Sequence, residues 1–207
     1  MNLTRADVRG IGHLLAIALL WAPWIQTMAD AWILVGYGLA LALLWPHIPY
    51  LNTLHKGWPD WGIISYPLAV GLALSLTTLM PAIDHLTEMG DSEHLLIARI
   101  LTLPMAVADP IHGWIGRRDS GRKAHGKSRR GLFASVPALL ALLFLLVGED
   151  WFSTGQPVHP SEYLFFLLSF SPLLLGAWTE TWWRWGSDNV PVVLATSAGT
   201  ILLLLLT

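Results

Sequence analysis

Apolar stretches long enough to cross a lipid bilayer recur along the whole chain, separated by short polar segments. A helix needs about 20 predominantly apolar residues to span the hydrocarbon core. Charged residues make up 13% of the chain, against roughly 25% in soluble domains. The sequence therefore predicts an all-α, polytopic integral membrane protein, folded as a single domain over residues 1–207. The seven predicted spans are residues 10–25, 30–48, 62–82, 94–115, 131–148, 161–183 and 189–206.

The charges predict an orientation for these spans. Seven of the twelve Lys and Arg residues lie between Arg117 and Arg130, after the fourth span. Basic loops accumulate on the cytoplasmic side. With this loop inside, eleven of the twelve basic residues and the N-terminus are cytoplasmic. The exception is Arg99, which we expect to pair with Asp91 or Glu93. We expect the functional site to face the cytoplasm of a prokaryotic cytoplasmic membrane.

Asp109 lies inside the fourth predicted span. An ionisable group within a span is costly and is usually functional. The dipeptide Asp109-Pro110 is also typical of a helix start, with Asp as N-cap and Pro at the first helical position. A broken helix capped by Asp109 is therefore the structural alternative, and it is compatible with a functional carboxylate.

The basic loop, residues 116–131, carries glycines among its cations. Glycine lets the backbone approach an anion closely, and Arg and Lys bind phosphate oxygens. The pattern indicates a cytoplasmic phosphate site. The alternative is a loop that only sets topology and touches anionic lipid headgroups. The chain has no cysteine, which excludes disulfides and thiolate metal sites.

Three further clusters are candidates for the same site. Glu180 and Asp188 face the side of the basic loop in the predicted topology, and carboxylates near Asp109 would suit Mg²⁺; Asp188 could instead cap the last span. Arg9 and His13 are four residues apart and share one helix face. His112 follows Asp109 by three residues and could carry a proton.

Six segments of the chain form a series of motifs. They are, in sequence order, Arg9-x-x-x-His13, Lys56 to Pro67, Ala108 to Arg118, Gly126-Lys127-Ser128, Gly131-x-x-Ala134-Ser135, and Glu180 followed by Asp188-Asn189-Val190-Pro191. In this order they resemble the polyprenol kinase family, which includes phytol, farnesol and dolichol kinases. Ala108 stands where that family usually has Gly, and Arg130 where Glu is common.

The resemblance implies Mg²⁺-dependent phosphorylation of an isoprenoid alcohol, such as phytol, geranylgeraniol, farnesol or a polyprenol, by CTP or UTP. The lipid tail would lie in a groove between spans. The implied catalytic residues are Asp109, Lys127 and Arg117. The implied nucleotide contacts are Gly116, Arg117, Arg118, Arg122, Gly126, Lys127, Ser128 and Asn189. The implied metal ligands are Asp109, Asp188 and Glu180, with Arg9, His13 and His112 as substrate or site support.

Two other functions remain open on the sequence. A cytidylyltransferase making a CDP-lipid would use CTP at a similar interface and release pyrophosphate. A small transporter or scaffold would need no chemistry, but transporters often show repeats and polar groups near the bilayer midplane. We see no repeat here. The expected partners are the bilayer, a lipid alcohol and a nucleoside triphosphate, with no nucleic acid.

Overall fold

The computed structural model describes residues 5–48, 61–79, 90–118, 123–124, 127–128, 130–131, 133–141, 170–179 and 189–206. These residues are helical apart from short connections and one two-residue antiparallel ladder, so the all-α prediction is confirmed. The helices are α1 (Arg5–Leu20), α2 (Met28–Leu44), a 3₁₀ turn (Trp45–His47), α3 (Trp61–Leu79), α4 (Asp91–Leu103), a π turn (Pro104–Ala108), α5 (Asp109–Arg118), α6 (133–141), α7 (170–179) and α8 (Asn189–Leu206). The ladder pairs β1 (Lys123–Ala124) with β2 (Lys127–Ser128).

Helix lies within each of the seven predicted ranges. Among the described residues, two helices are long and apolar enough to cross a membrane, Met28–His47 and His94–Ile115. They coincide with the predicted spans 30–48 and 94–115. Shorter apolar helices occupy Gly10–Leu20, Ile63–Thr78 and Asn189–Leu202. The count of seven spans and the cytoplasmic N-terminus stay predictions.

Side-chain hydrogen bonds set the start of α2. The hydroxyl of Thr27 accepts from the Asp30 N–H at 3.1 Å, and the Thr27 N–H donates to Asp30 Oδ2 at 2.9 Å. This reciprocal arrangement is a capping box, with Asp in the place of the usual Glu or Gln. It satisfies backbone donors that the first helical turn would leave without partners.

The helix α3 lies at the centre of the fold and packs against α2, α4 and α8, while α1 packs against α5 and the π turn. Small residues allow these close approaches. A Cβ atom added at Gly38 would lie 3.1 Å from Pro67 Cβ, and one at Gly71 would lie 3.3 Å from Trp32. The contacts pair α2 and α3 in antiparallel register.

The chain from Asp91 to Arg118 is continuously helical, with a π turn in place of the break that Asp109-Pro110 suggested. Asp109 has helical backbone angles, φ −59° and ψ −50°, so it is not an N-cap. Pro110 has no N–H to donate to the preceding turn, and a widened turn accommodates such a missing bond. All five residues of the π turn are buried, and Asp109 follows directly.

Arg99, the basic residue expected on the outer side, binds backbone carbonyls. Its Nε donates to the Leu20 carbonyl at 3.0 Å and its Nη2 to the Ile25 carbonyl at 2.7 Å. Its guanidinium also lies 5.2 Å from the ring centre of Trp21, a cation–π distance. These contacts hold the cation at the end of α1, and its expected pairing with Asp91 or Glu93 stays a prediction, since the Glu93 side chain lies outside the described part of the chain.

Candidate functional site

Asp109 and His13 meet where α1 crosses α5. The Nδ1 atom of His13 lies 2.9 Å from Oδ2 of Asp109. This is an ion-pair distance, but its angles are not those of an aligned hydrogen bond, so we treat the pair as a close electrostatic contact. Gly10 lies at this crossing, where a Cβ atom would make a van der Waals contact with Pro110, 3.4 Å from its Cβ. His13 follows on the same face of α1, about one turn further along.

Tyr66 on α3 also contacts His13. Its hydroxyl donates to the His13 carbonyl at 2.9 Å. The two rings lie 4.7 Å apart between centroids, inclined by 31°. Tyr66 is buried. The His13 ring therefore contacts both an aromatic ring of α3 and the carboxylate of Asp109.

His112 is oriented toward the segment that follows the basic loop. It is buried, and its Nε2 lies 3.4 Å from the hydroxyl of Ser135 on α6. A Cβ atom added at Gly131 would lie 2.9 Å from the His112 Cα, closer than real Cβ contacts allow. Glycine at 131 is thus required for α5 and the residues before α6 to pack together.

Asn189 begins α8 and binds α3. Its Nδ2 donates to the Ser65 hydroxyl at 2.9 Å, and both side chains are buried. A buried amide needs such partners because leaving it without hydrogen bonds is costly. Asn189 was predicted to contact nucleotide, and the described contact gives it a role in joining α8 to α3.

The predicted phosphate-binding residues are described in part. Gly116, Arg117 and Arg118 form the end of α5, while Lys127 and Ser128 form β2, which contacts α5. In the ladder, Lys123 pairs with Ser128 and Ala124 with Lys127. The backbone of Arg9 lies in α1. The side chains of these residues lie outside the described part of the chain, as do Arg122, Gly126, Glu180 and Asp188 altogether.

Within the described ranges, no group of three or more His, Asp or Glu side chains is placed to hold a metal ion. Asp109 is the one predicted metal ligand that falls in these ranges. Mg²⁺ is commonly held by one or two carboxylates together with substrate phosphates. Asp109 alone therefore fits as the protein ligand of a nucleotide-bound Mg²⁺, and the full set of three stays a prediction.

Three residues that take part in these contacts had no role predicted from the sequence. Tyr66 supports His13, Ser65 binds Asn189, and Ser135 lies beside His112. All three occur within segments that resemble the polyprenol kinases, which was the available signal. Their roles depend on contacts between helices that are far apart in the chain. The periodicity of one helix does not predict which residues of another helix it will contact.

Comparison with protein-family models, with curated proteins and with solved structures finds no match to this chain.

Proposed function

We propose that this chain is a membrane-embedded kinase that transfers the γ-phosphoryl group of CTP or UTP to an isoprenoid alcohol at the cytoplasmic interface. The proposal includes seven membrane spans with a cytoplasmic N-terminus. It builds on the resemblance to polyprenol kinases and on the position of the basic loop, residues 116–131, at the other end of the short helix that Asp109 begins.

The contact between His13 and Asp109 carries this proposal. The two residues belong to separate segments of the resemblance, far apart in the chain, and their side chains lie 2.9 Å apart. Charged or ionisable groups inside apolar helices are costly and usually mark a functional site. The pair lies at the start of α5, and the basic loop follows the other end of the same short helix, so the two could contribute to one phosphate site.

Phosphoryl transfer depends mainly on positioning and on stabilising charge. In the proposed reaction the alcohol oxygen bonds to the γ-phosphorus, and the bond from that phosphorus to the β–γ bridging oxygen breaks. The alcohol proton is released to solvent, and the nucleoside diphosphate leaves. Asp109 would hold Mg²⁺, which neutralises phosphate charge when bound. Arg117 and Lys127 would bind the phosphates of the leaving nucleotide.

The test is a reaction of the purified full-length chain in lipid nanodiscs with geranylgeraniol and each of CTP, UTP, ATP and GTP. We expect geranylgeranyl monophosphate and a nucleoside diphosphate with CTP or UTP, identified by mass. We expect Asp109→Asn to lower kcat/KM by about 100-fold or more, because it removes a charge needed in the transition state.

The matched control is Asp91→Asn. Asp91 is exposed and begins α4, about 27 Å from Asp109 at 1.5 Å per residue. We expect its rate to equal that of the unaltered chain. Pyrophosphate in place of a nucleoside diphosphate would establish the cytidylyltransferase alternative. No product with any nucleotide, or full activity in folded Asp109→Asn, would refute the kinase proposal.

A further inference from the structure

A cavity of about 320 Å³ lies between α1, α2 and α3. Its walls are almost entirely apolar side chains, and it is open on one side. Ligand sites in proteins usually measure about 300–1,000 Å³ and combine apolar walls with a few polar groups. This cavity is at the small end of that range.

His13, Tyr66 and Trp45 place polar groups at one end of the cavity, and Tyr37 on α2 also lines it. Gly12, His13 and Tyr66 line it beside the contact with Asp109, and Trp45 lines it at the end of α2. The antiparallel pairing of Gly38 with Pro67 brings the end of α2 level with the start of α3, and hence with this end of the cavity. Within the described ranges, the Trp45 indole N–H is buried without a hydrogen-bond partner.

The opposite end is apolar. It is lined by Leu20, Leu34 and Val70, and Gly12 and Leu20 are about 12 Å apart along α1 at 1.5 Å per residue. The cavity thus has a polar head end and an apolar far end, and its volume is small. That shape and polarity match an amphiphile with one narrow hydrocarbon chain.

We infer that this cavity binds the first part of a single-chain lipid alcohol, with its hydroxyl at His13 and its chain directed toward Leu20 and Leu34. The inference rests on the proposed function, because it assigns the lipid half of the same site. The chain beyond the far end leaves through the open side into the bilayer. A two-chain lipid such as a diacylglycerol does not fit the volume.

Two glycines provide a matched test. Gly12 lines the cavity, and a Cβ atom added there meets nothing within 4 Å. Gly36 on α2 has the same open surroundings but does not line the cavity. Gly12→Leu fills cavity space without a backbone clash, and Gly36→Leu makes the same chemical change elsewhere. Ala16→Leu narrows the cavity at another lining position and serves as the second blocking variant.

The experiment measures equilibrium binding of radiolabelled geranylgeraniol, and of dioleoylglycerol, to the full chain in nanodiscs without nucleotide. We expect the unaltered chain to bind geranylgeraniol and to bind dioleoylglycerol much more weakly. Gly12→Leu and Ala16→Leu should each weaken geranylgeraniol binding by about tenfold or more, since each displaces several methylene groups from the cavity. Gly36→Leu should change it by less than about twofold.

Equal binding by Gly12→Leu and the unaltered chain would overturn the inference, and so would equal weakening by Gly12→Leu and Gly36→Leu. Binding of dioleoylglycerol as tight as that of geranylgeraniol would overturn its restriction to one chain. The kinase proposal fails separately: if binding behaves as expected but no phosphorylated product forms, the cavity assignment stands. If product forms and Gly12→Leu leaves KM unchanged, the kinase stands and the cavity assignment fails.

Discussion

Arg99 and Asp109 are two ionisable residues of one continuous helical segment, and their surroundings differ. Arg99 donates to two backbone carbonyls at the end of α1 and lies over Trp21. Asp109 faces the imidazole of His13, which lines an apolar cavity. The partners distinguish a charge that stabilises the fold from one to which the kinase proposal assigns a chemical role. Backbone carbonyls hold a cation in one fixed geometry, whereas an imidazole beside a cavity leaves room for a ligand.

The largest effect on stability is expected at Arg99. Replacing it with Met removes two charge-assisted hydrogen bonds, each contributing about 1.5–3 kcal/mol, so Arg99→Met should lower the free energy of unfolding by about 3 kcal/mol. Reversible unfolding in mixed micelles measures this difference. Arg99→Lys retains the charge but not the planar guanidinium group, and its free energy of unfolding should fall by about half as much.

If Arg99 stabilises the fold and Asp109 acts in the proposed reaction, substitutions of the two residues should have opposite effects on stability and activity. Arg99→Met should retain its activity per folded molecule, while Asp109→Asn should retain its stability within about 1 kcal/mol and lose activity. If Arg99→Met were as stable as the unaltered chain, the structural role assigned to this cation would be wrong.

A smaller loss is expected at Gly176, which packs α7 against α8 and the π turn. A Cβ atom there would overlap the hydroxyl of Thr196 and lie 3.0 Å from Pro104 Cβ. Overpacking of this kind costs about 1–3 kcal/mol, so we expect Gly176→Ala to lose about 2 kcal/mol in the same unfolding measurement.

The control at this position is Gly36→Ala, where the added Cβ atom meets open space. That variant should gain about 0.5–1 kcal/mol from helix propensity. Adding Thr196→Ala to Gly176→Ala should restore part of the lost stability, because it removes the overlapping hydroxyl. Unchanged stability in Gly176→Ala would show that α7 and the π turn are not in close contact.

The smallest effect is expected at Tyr66. Tyr66→Phe removes the hydrogen bond to the His13 carbonyl but keeps the ring beside the imidazole. One neutral hydrogen bond contributes about 0.5–1.5 kcal/mol, so the free energy of unfolding should fall by about 1 kcal/mol. Tyr37→Phe is the control, since Tyr37 is 73% exposed and should show no change. Equal effects of the two substitutions would contradict the role of Tyr66 in positioning His13.

The sequence predicted the helices well because a membrane span is a local property of length and hydropathy. The ranges 30–48 and 94–115 agree closely with Met28–His47 and His94–Ile115. It did not predict the partners of Arg99, because a backbone carbonyl at the end of another helix has no sequence signal. Nearby acids suggested an ion pair, whereas the described contacts of Arg99 are with two backbone carbonyls and the Trp21 ring.

The sequence predicted residues of the candidate site but not their arrangement in space. The resemblance singled out His13, Asp109 and Asn189 from their motifs. The contact between His13 and Asp109 arises where α1 crosses α5, and Ser65 is within reach of Asn189 because α8 packs on α3. These contacts arise from packing among several helices, which helix periodicity does not encode.

The π turn at Pro104–Ala108 has a consequence for every residue that follows it in α5. A π turn holds one more residue than the α-helical turn it replaces, and each residue of an α-helix advances the angular position by about 100°. The inserted residue therefore rotates the whole of α5 about its axis relative to α4. Asp109, His112 and Trp114 all lie in α5 and share this rotation. Removing one residue from the buried π turn would therefore rotate all three side chains away from their present neighbours. The direction in which the carboxylate points is set by the phase of the helix and not by its immediate neighbours in the chain.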